Sequence, residues 1–366
     1  MDGRLRGLTD GTVVRRIRAL GRMRLADGAR LALNLRTHRT WSLPILLYAP
    51  TSRCNSRCVS CDWWRTDGAS DLSKDEVRTL ARELPALRTK LVVFTGGEPL
   101  VRDDVFELAD MFRDAGAVLH LLTSGLALER HAVAVAERFD AVTISLDGHT
   151  RDLYRAIRGV DGLAAVERGV RRLRELRPAM AIRARSTIHQ RNFQALPDLI
   201  EKAGAMGLDQ ISFLAADVTS DSFGRGPLAI QPNPSGLVLD EDEVNELEAV
   251  VEKAIMSHAR EFKDGRVAER PEKLRRIPAY YRACLGRGPF PRVECNAPWV
   301  SAVVEADGAV RPCFFQPTVG NVREGGLRTL LDREMVRFRQ RLDVKADSTC
   351  QRCVCSLRMS PTAPVV

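Results

Sequence analysis

The fold of this chain is decided by residues 43–64, which read LPILLYAPTSRCNSRCVSCDWW. Residues 43–48 form an apolar run with the length and composition of a buried strand. Cys54, Cys58 and Cys61 follow at once in a C-x3-C-x2-C pattern, and no fourth cysteine lies nearby. A four-iron cluster normally binds one cysteine thiolate per iron, so this pattern leaves one iron open to another ligand.

From residue 43 onward, short apolar runs alternate with amphipathic stretches, which predicts a parallel sheet built by right-handed crossovers. We expect strands near 44–49, 90–95, 117–122, 141–146, 181–187 and 209–214, with helices near 73–85, 102–115, 127–138, 161–176 and 193–206. Ser73 and Glu76 form a capping-box sequence, and Gly116 and Gly207 are typical of helix ends. Six such units predict an α/β fold, a partial (β/α)6 TIM-like barrel whose active site lies at the carboxyl ends of the strands.

A second motif ends the second predicted strand and consists of Gly96, Gly97, Glu98 and Pro99. Together with the cysteine pattern it resembles the signature of the radical S-adenosylmethionine (SAM) enzymes. The resemblance implies that Cys54, Cys58 and Cys61 hold a [4Fe-4S] cluster whose open iron binds SAM. It also implies reductive cleavage of SAM to a 5'-deoxyadenosyl radical, which takes a hydrogen atom from the substrate. By the same resemblance, the GGEP motif contacts the amino group of SAM.

Three further residues are candidates for the SAM pocket: Ser124 and Ser145 at the ends of the third and fourth strands, and Arg185 on the fifth. Ser124 lies in a Thr-Ser-Gly segment after the third strand, and Ser145 begins a Ser-Leu-Asp-Gly segment after the fourth. Both segments resemble strand ends that line the SAM pocket in relatives. Ser145 is a candidate for the SAM ribose and Arg185 for the SAM carboxylate, although a surface salt bridge is an equal reading of Arg185. Residues at the same mouth with a possible substrate contact are Asp147, Arg155 and Arg158.

The C-terminal region carries a second cysteine group. Cys295 and Cys313 flank Gly308 in a C-x12-G-x4-C arrangement, and Cys350-x2-Cys353 follows, with Cys355 close behind. Residues 300–304 and 309–312 read as a β-hairpin around Ala306-Asp307-Gly308.

This group resembles the SPASM and Twitch auxiliary-cluster domains. The resemblance implies one auxiliary [4Fe-4S] cluster held by Cys295, Cys313, Cys350 and Cys353. A four-cysteine zinc ribbon is the alternative for the same spacing. Cys284 and Cys355 are left over, and each is a buried bystander, an alternative cluster ligand or a catalytic thiol that gives a hydrogen atom to a substrate radical.

The net charge of +9 is concentrated at the N-terminus, where residues 1–42 contain ten arginines and three aspartates, or +7. We expect this arm to be a helical extension packed on the barrel, with a peripheral anionic partner as the weaker alternative. The expected domains are the basic extension 1–42, the barrel 43–215, a linker or lid with a long helix 216–283 (the helix near 241–261), and the auxiliary-cluster domain 284–366.

Composition excludes several classes of protein. Apolar and charged fractions are those of a globular chain, and no run of about 18 apolar residues predicts a membrane span. Nine clustered cysteines without a secretory segment favour metal binding in a reducing compartment, so we expect a cytoplasmic protein.

The function expected from this reading is hydrogen abstraction from a polar, sugar-like small molecule, leading to dehydrogenation or epimerisation. An electron donor such as flavodoxin or ferredoxin would reduce the cluster. A peptide-modifying maturase is the alternative enzyme. A zinc-containing nucleic-acid-binding protein that uses the basic arm is the alternative from another class.

Overall fold

A computed structural model describes residues 25–225 and 236–360. Residues 1–24 of the basic arm and the middle of the expected lid therefore lie outside the described residues. The arm enters the described part as helix α1, Leu25–Thr37, which packs against the C-terminal region. Asn34 at its centre is fully buried, and its amide donates to the carbonyls of Ser42 and Trp299 at 2.7 and 2.8 Å. These contacts hold residues 25–37 against the C-terminal region, and the basic extension 1–42 as a unit stays a prediction.

Strands β1 to β6 lie close to their predicted positions and pair in parallel. Their bounds are Ile45–Tyr48, Leu91–Phe94, Val118–Thr123, Ala141–Ser145, Ala181–Ile188 and Gln210–Ala215. The main crossover helices are α2 (Lys74–Leu87), α3 (Val105–Asp114), α4 (Leu128–Arg138), α5 (Arg151–Arg158), α6 (Leu163–Leu176) and α7 (Leu196–Ala205). The parallel strands and their crossovers confirm the partial barrel.

Helix α2 begins where the sequence predicts because its N-terminal cap is formed. Ser73 accepts from the Glu76 amide, and the Glu76 carboxylate accepts from the Ser73 amide in return. This capping box starts α2. Gly116 and Gly207 both have positive φ just beyond a helix, as expected for glycine after a helix end. Helix α5 was not predicted, because its eight residues follow a strand end without a long apolar repeat.

The C-terminal hairpin continues the barrel sheet. Strand β7, Ser301–Val304, pairs in parallel with β1, and β8, Ala309–Arg311, turns back antiparallel to it. A two-residue strand, β9 (Gly320–Asn321), completes the order β6-β5-β4-β3-β2-β1-β7-β8-β9 among the described strands. The predicted hairpin is confirmed, but its parallel pairing with the first strand was not expected.

Further helices cover the lid side and the C-terminal region. They are α8 (Glu241–Ser257), α9 (Ala259–Lys263), α10 (Pro271–Leu274), α11 (Arg276–Cys284), α12 (Ala297–Val300), α13 (Gly326–Asp332), α14 (Glu334–Arg341) and α15 (Ser348–Gln351). The long helix expected near 241–261 is thus divided at His258. No helix in the described ranges has the length and apolar content needed to cross a membrane.

Two faces of the sheet have different environments. Alternate strand residues such as Leu119, Val142 and Ile182 face the helices and belong to the main hydrophobic core. The intervening residues face the concave side, which we call the lumen. At one end the lumen is apolar, with Leu91 and Val93 packed against Leu357 from the C-terminal segment. The alternation that makes a strand two-sided therefore separates the core from the lumen.

Candidate SAM-cluster site and auxiliary cysteine site

The three cysteines of the first motif lie on the segment 49–62 that follows β1, which we call the cysteine loop. Asp71 fixes the start of this loop, because its carboxylate accepts from the amide and the hydroxyl of Ser52, each at 3.0 Å. Further along, the amide of Arg57 donates to the Arg158 carbonyl at 2.8 Å. The cysteine loop is thus held at both ends by the barrel.

The GGEP motif packs directly against the cysteine loop. The amide of Gly97 donates to the carbonyl of Thr51, and the amide of Glu98 donates to the carbonyl of Arg53, at 3.0 and 2.8 Å. A Cβ atom on Gly97 would lie 2.1 Å from that Arg53 oxygen, so no larger residue fits. The motif and the cysteines are therefore brought together by backbone contact at the carboxyl ends of β1 and β2.

The carboxylate of Glu98 is fully buried and points into the protein. It accepts from the Thr123 hydroxyl at 2.7 Å, the Ser124 amide at 2.6 Å and the Leu100 amide at 3.1 Å. Three of its roughly four acceptor positions are therefore used within the chain. The side chain of Glu98 thus joins the ends of β2 and β3. Because its carboxylate is mostly occupied, we expect the amino group of SAM to contact mainly the backbone of residues 96–99.

Ser124 follows β3 and Ser145 ends β4, whereas Arg185 lies within β5. The Ser124 hydroxyl donates to Asn55 of the cysteine loop at 3.2 Å. Ser145 stands opposite Arg185 in the β4–β5 register, and Arg185 donates to the Ser212 hydroxyl at 3.2 Å. Arg185 forms no ion pair within residues 25–225 and 236–360, so the salt-bridge reading of this residue is not the one observed.

The thiols of the cysteine loop are partly buried and close enough to affect one another's ionisation. Burial raises the pKa of Cys54 to about 11 and that of Cys61 to about 12, and it also raises the pKa of Cys58. Each buried thiolate therefore needs a compensating positive charge. A bound metal supplies this charge, because a coordinating thiol is deprotonated outright.

This donor set fits a [4Fe-4S] cluster. Three thiolates that bind a single tetrahedral ion each place their sulfur about 2.3 Å from that one ion. The thiolates of a four-iron cluster instead each bind a different iron atom. Among the residues described, no three His, Cys, Asp or Glu side chains form a group that could hold a metal ion. The fit rests on the three buried thiols and on the glycine-lined approach beside them.

Five C-terminal cysteines converge in a second group, which we call the auxiliary site. A thiolate at Cys313 would interact with the charges of Cys295 and Cys355. A thiolate at Cys353 would interact with the charges of Cys295, Cys313 and Cys355. Cys350 interacts with Cys313, and Gln316 donates to its sulfur at 3.3 Å. Burial raises the pKa of Cys313 to about 11 and that of Cys350 to about 12.

Cys355 belongs to the auxiliary site, whereas Cys284 contacts none of its thiols within the described residues. The carbonyl of Cys355 accepts from the Cys353 thiol at 2.5 Å. Cys284 ends α11, where its charge would interact with Asp217 and Arg352, and burial raises its pKa to about 11. Hydrogen-atom donation by Cys284 or Cys355 stays a prediction.

The described part of the expected lid touches both cysteine groups. The carbonyl of Phe223 accepts from the amide of Asp62, which follows Cys61. One residue earlier, the Ser222 hydroxyl donates at 2.7 Å to the carbonyl of Phe314, which follows Cys313. Residues 216–225 therefore link the cysteine loop to the auxiliary site.

Sequence reasoning missed the polar lining of the lumen. His120 on β3 hydrogen-bonds the Thr143 hydroxyl on β4 at 2.8 Å, and Arg183 lies opposite Thr143 on β5. Burial, with the charges of Arg183 and Arg185, lowers the pKa of His120 to about 3. The signal was present as polar residues at alternate positions of β4 and β5, Thr143 with Ser145 and Arg183 with Arg185, where a buried barrel interior would be apolar.

Comparison with known proteins agrees with this geometry. The family model of the radical SAM superfamily matches residues 48–219, and that of the SPASM iron–sulfur cluster-binding domain matches residues 295–354. The chain is 26% identical to the AdoMet-dependent heme synthase of Methanosarcina barkeri, over 84% of this chain and 88% of that protein. It is 32% identical to the pre-heme d1 synthase of Dinoroseobacter shibae, over 46% and 42% of the two chains.

Another relative is the PqqA peptide cyclase of Rhodopseudomonas palustris, 32% identical over 47% of each chain, so less than half of that protein's length is matched. Among solved structures, Streptococcus suis SuiB bound to SAM has a TM-score of 0.62 at 13% identity and covers 92% of this chain and 79% of its own. Native anSMEcpe with bound AdoMet has a TM-score of 0.61 at 17% identity, covering 85% and 86%. These likenesses show the fold alone.

The two family matches cover Cys54, Cys58 and Cys61 at the barrel mouth and four cysteines of the auxiliary site, all but Cys355. They favour iron–sulfur clusters over zinc at both. The chain therefore belongs to the radical SAM superfamily and carries a C-terminal SPASM domain, with SAM, a SAM-binding [4Fe-4S] cluster and auxiliary iron–sulfur as its cofactors.

Proposed function

We propose that this chain oxidises an anionic small molecule, bearing carboxylate or phosphate groups, that binds in the lumen of the barrel. The observation that carries the proposal is the positive lining of the lumen. Arg183 and Arg185 project from alternate positions of β5, and neither forms an ion pair within the described ranges. Arginine stays charged at any pH that a protein tolerates, so the pair attracts an anion.

The remaining lumen groups suit the same ligand. His120 is neutral near pH 7, because its pKa is lowered to about 3. It adds a hydrogen-bonding group without adding further repulsion to the two arginines. Thr143 and Ser212 contribute hydroxyls on the neighbouring strands, each already touching His120 or Arg185. A carboxylate or phosphate binds well to such an array of donors.

The cofactor ligands proposed are Cys54, Cys58 and Cys61 at the barrel mouth and four of the five thiols of the auxiliary site. When bound, the reduced cluster with SAM supplies a radical that removes a hydrogen atom from a C–H bond, and an auxiliary cluster supplies an acceptor for one electron. The protein's own residues bind and orient the substrate between these two centres.

A cavity beside the auxiliary site supports an oxidative outcome. It is small, with a volume of about 40 Å³, and lies between β6 and the C-terminal segment. Leu214 of β6, Lys273, Arg276 and Cys353 line it. Lys273, which pairs with Glu269 at 3.9 Å, and Arg276 thus place positive charge beside the auxiliary thiols. We therefore favour dehydrogenation over epimerisation, which would need a thiol such as Cys284 or Cys355 to return a hydrogen atom.

Tetrapyrrole carboxylates are the first substrate class to test. The relative that aligns over most of both chains is named a heme synthase, and two further relatives are named for pre-heme d1 and Fe-coproporphyrin III. Phosphorylated or carboxylated sugars are the second class, which keeps the expectation of a polar sugar-like metabolite. A peptide substrate is the alternative, supported by the match to the PqqA peptide cyclase.

The test is anaerobic turnover of the reconstituted enzyme, with 5'-deoxyadenosine measured against an uncoupled control. The panel contains a polycarboxylate tetrapyrrole, sugar phosphates, neutral sugars and an uncharged peptide. We expect only the anionic compounds to raise 5'-deoxyadenosine. Arg183→Gln should raise KM for the active compound by about ten-fold or more, since a charged hydrogen bond is worth about 1.5–3 kcal/mol.

The matched control is Arg172→Gln, which removes an exposed arginine on the outer helix α6 that pairs with Glu175. It should leave KM unchanged. Equal stimulation by neutral and anionic compounds, or an unchanged KM for Arg183→Gln, would overturn the proposal. Loss of two hydrogens in the product mass indicates dehydrogenation, whereas solvent deuterium at unchanged oxidation level indicates epimerisation.

A further inference from the structure

An ion pair is buried directly behind the cysteine loop. A terminal guanidinium nitrogen of Arg158 lies 3.1 Å from Oδ2 of Asp147, and the two side chains are 11% and 8% exposed. The other carboxylate oxygen of Asp147 accepts from the amide of Thr187 at 2.8 Å. A buried pair of this kind is rigid, because leaving either partner alone would strand a charge in the protein.

The backbone fixes Arg158 against the cysteine loop. The carbonyl of Arg158 accepts from Arg57 at 2.8 Å, and the carbonyl of Ile157 accepts from Val59 at 3.0 Å. These two amides flank Cys58. The following residue, Gly159, has φ +69°, and a Cβ there would lie 2.4 Å from the Arg57 carbonyl oxygen. The end of α5 is therefore built to approach the loop closely.

The guanidinium is not fully used by Asp147. Its Nε atom is buried and has no hydrogen-bond partner among the described residues. The positive charge of Arg158 interacts with Cys58 and Cys54, and it also offsets part of the rise that burial causes in the pKa of Cys61. One face of the cation thus meets a carboxylate, while its charge also acts on the thiols that would hold the SAM cluster.

We propose that Arg158 and Asp147 set the reduction potential of the SAM-binding cluster, with Arg158 raising it and Asp147 limiting the rise. Reduction adds one electron, taken from an external low-potential donor, to the cluster and its ligands. A nearby cation stabilises the added negative charge, and a nearby anion destabilises it. Net charge and hydrogen bonds around a cluster are recognised determinants of its potential.

This inference goes beyond the proposed substrate and does not depend on it. It concerns cluster reduction, so its test needs no substrate. It also differs from a purely structural role for the pair. If the two side chains only held the structure together, replacing Arg158 or Asp147 would shift the reduction potential in the same direction. If their charges act on the cluster, the two replacements shift the potential in opposite directions.

The test is a redox titration of the reconstituted full chain followed by EPR, with the SAM cluster identified as the signal that changes when SAM is added. Arg158→Gln should lower the midpoint potential, by about 59 mV for a ten-fold loss in the one-electron equilibrium constant. Asp147→Asn should raise it, because the arginine charge is then uncompensated. Arg158→Lys should retain most of the wild-type value.

The double variant Arg158→Gln/Asp147→Asn should return towards the wild-type potential, and it guards against the case in which one single variant fails to fold. Signals from the auxiliary iron in the same samples are the internal control and should not shift. Arg151→Gln, which removes an exposed arginine earlier in α5 that pairs with Asp161, is the matched variant and should have no effect. Unchanged potentials, or shifts of the same sign for both single variants, would overturn the proposal.

Discussion

At the scale of single residues, Glu98 decides whether the mouth of the barrel keeps its shape. Its buried carboxylate accepts from Thr123, Ser124 and Leu100, so one side chain joins the end of β2 to the start of the next loop. A glutamine in its place has only one acceptor oxygen. The side-chain NH2 of the glutamine would then face a backbone amide or a hydroxyl, both of which also donate, so at least one donor would lose its acceptor.

Glu98→Gln should therefore reduce the free energy of unfolding by about 1–3 kcal/mol, the cost of a buried donor left without a partner. It should also weaken SAM binding to the reconstituted protein, because residues 96–99 lose their anchor. Denaturant unfolding and equilibrium SAM binding measure the two effects. Glu129→Gln, at an exposed pair with Arg168, is the control and should change neither.

At the scale of secondary-structure elements, α13 begins without a cap of its own. The residue before it is Gly325, which has no side chain, and the carboxylate of Glu83 on α2 accepts from the Leu327 and Arg328 amides at 3.1 and 2.6 Å. A residue 244 positions earlier thus supplies the cap. This contact also places a negative charge at the positive end of the helix dipole.

Glu83→Ala should cost about 0.5–2 kcal/mol of stability, the range for loss of a helix N-cap. Hydrogen exchange should locate the effect, with faster exchange at Leu327 and Arg328 and little change elsewhere. Glu175→Ala on α6 removes an exposed carboxylate of similar helical position and should leave both measurements unchanged. Unaltered exchange in Glu83→Ala would show that the cap contributes nothing.

At the scale of the whole molecule, the barrel and the SPASM region share one sheet. Ala302 of β7 is fully buried and pairs with Leu46 of β1 in the parallel register. Because β1 carries the cysteine loop at its end, the position of that loop depends on the C-terminal hairpin. Damage to β7 should consequently reach both cysteine groups.

Ala302→Asp places an unpaired charge in this junction and should destabilise the protein by about 3–5 kcal/mol. Iron analysis after reconstitution should show loss from both sites rather than from the auxiliary site alone. Ala164→Asp, at an exposed position of α6, is the control and should keep the wild-type iron content. Full iron at the SAM cluster in Ala302→Asp would mean that the two regions are independent.

The sequence by itself determined the barrel strands, the capping box at Ser73, the C-terminal hairpin and the two cysteine groups. These features follow from local signals: apolar runs of strand length, cap residues at fixed offsets, and ligand spacing short enough to lie on one loop. The same signals placed Ser145 at the end of the fourth strand and Arg185 on the fifth, and the two are neighbours in the β4–β5 register.

Only the tertiary structure decided the contacts between distant segments. The parallel pairing of β7 with β1, the cap that Glu83 gives to α13 and the Arg158–Asp147 pair behind Cys58 all join residues whose separation along the chain carries no periodic signal. The side-chain period of a strand predicts which residues share a face, but not which face becomes a lumen. That was settled by the folding of the sheet into a partial barrel, which brought His120, Arg183 and Arg185 to one side.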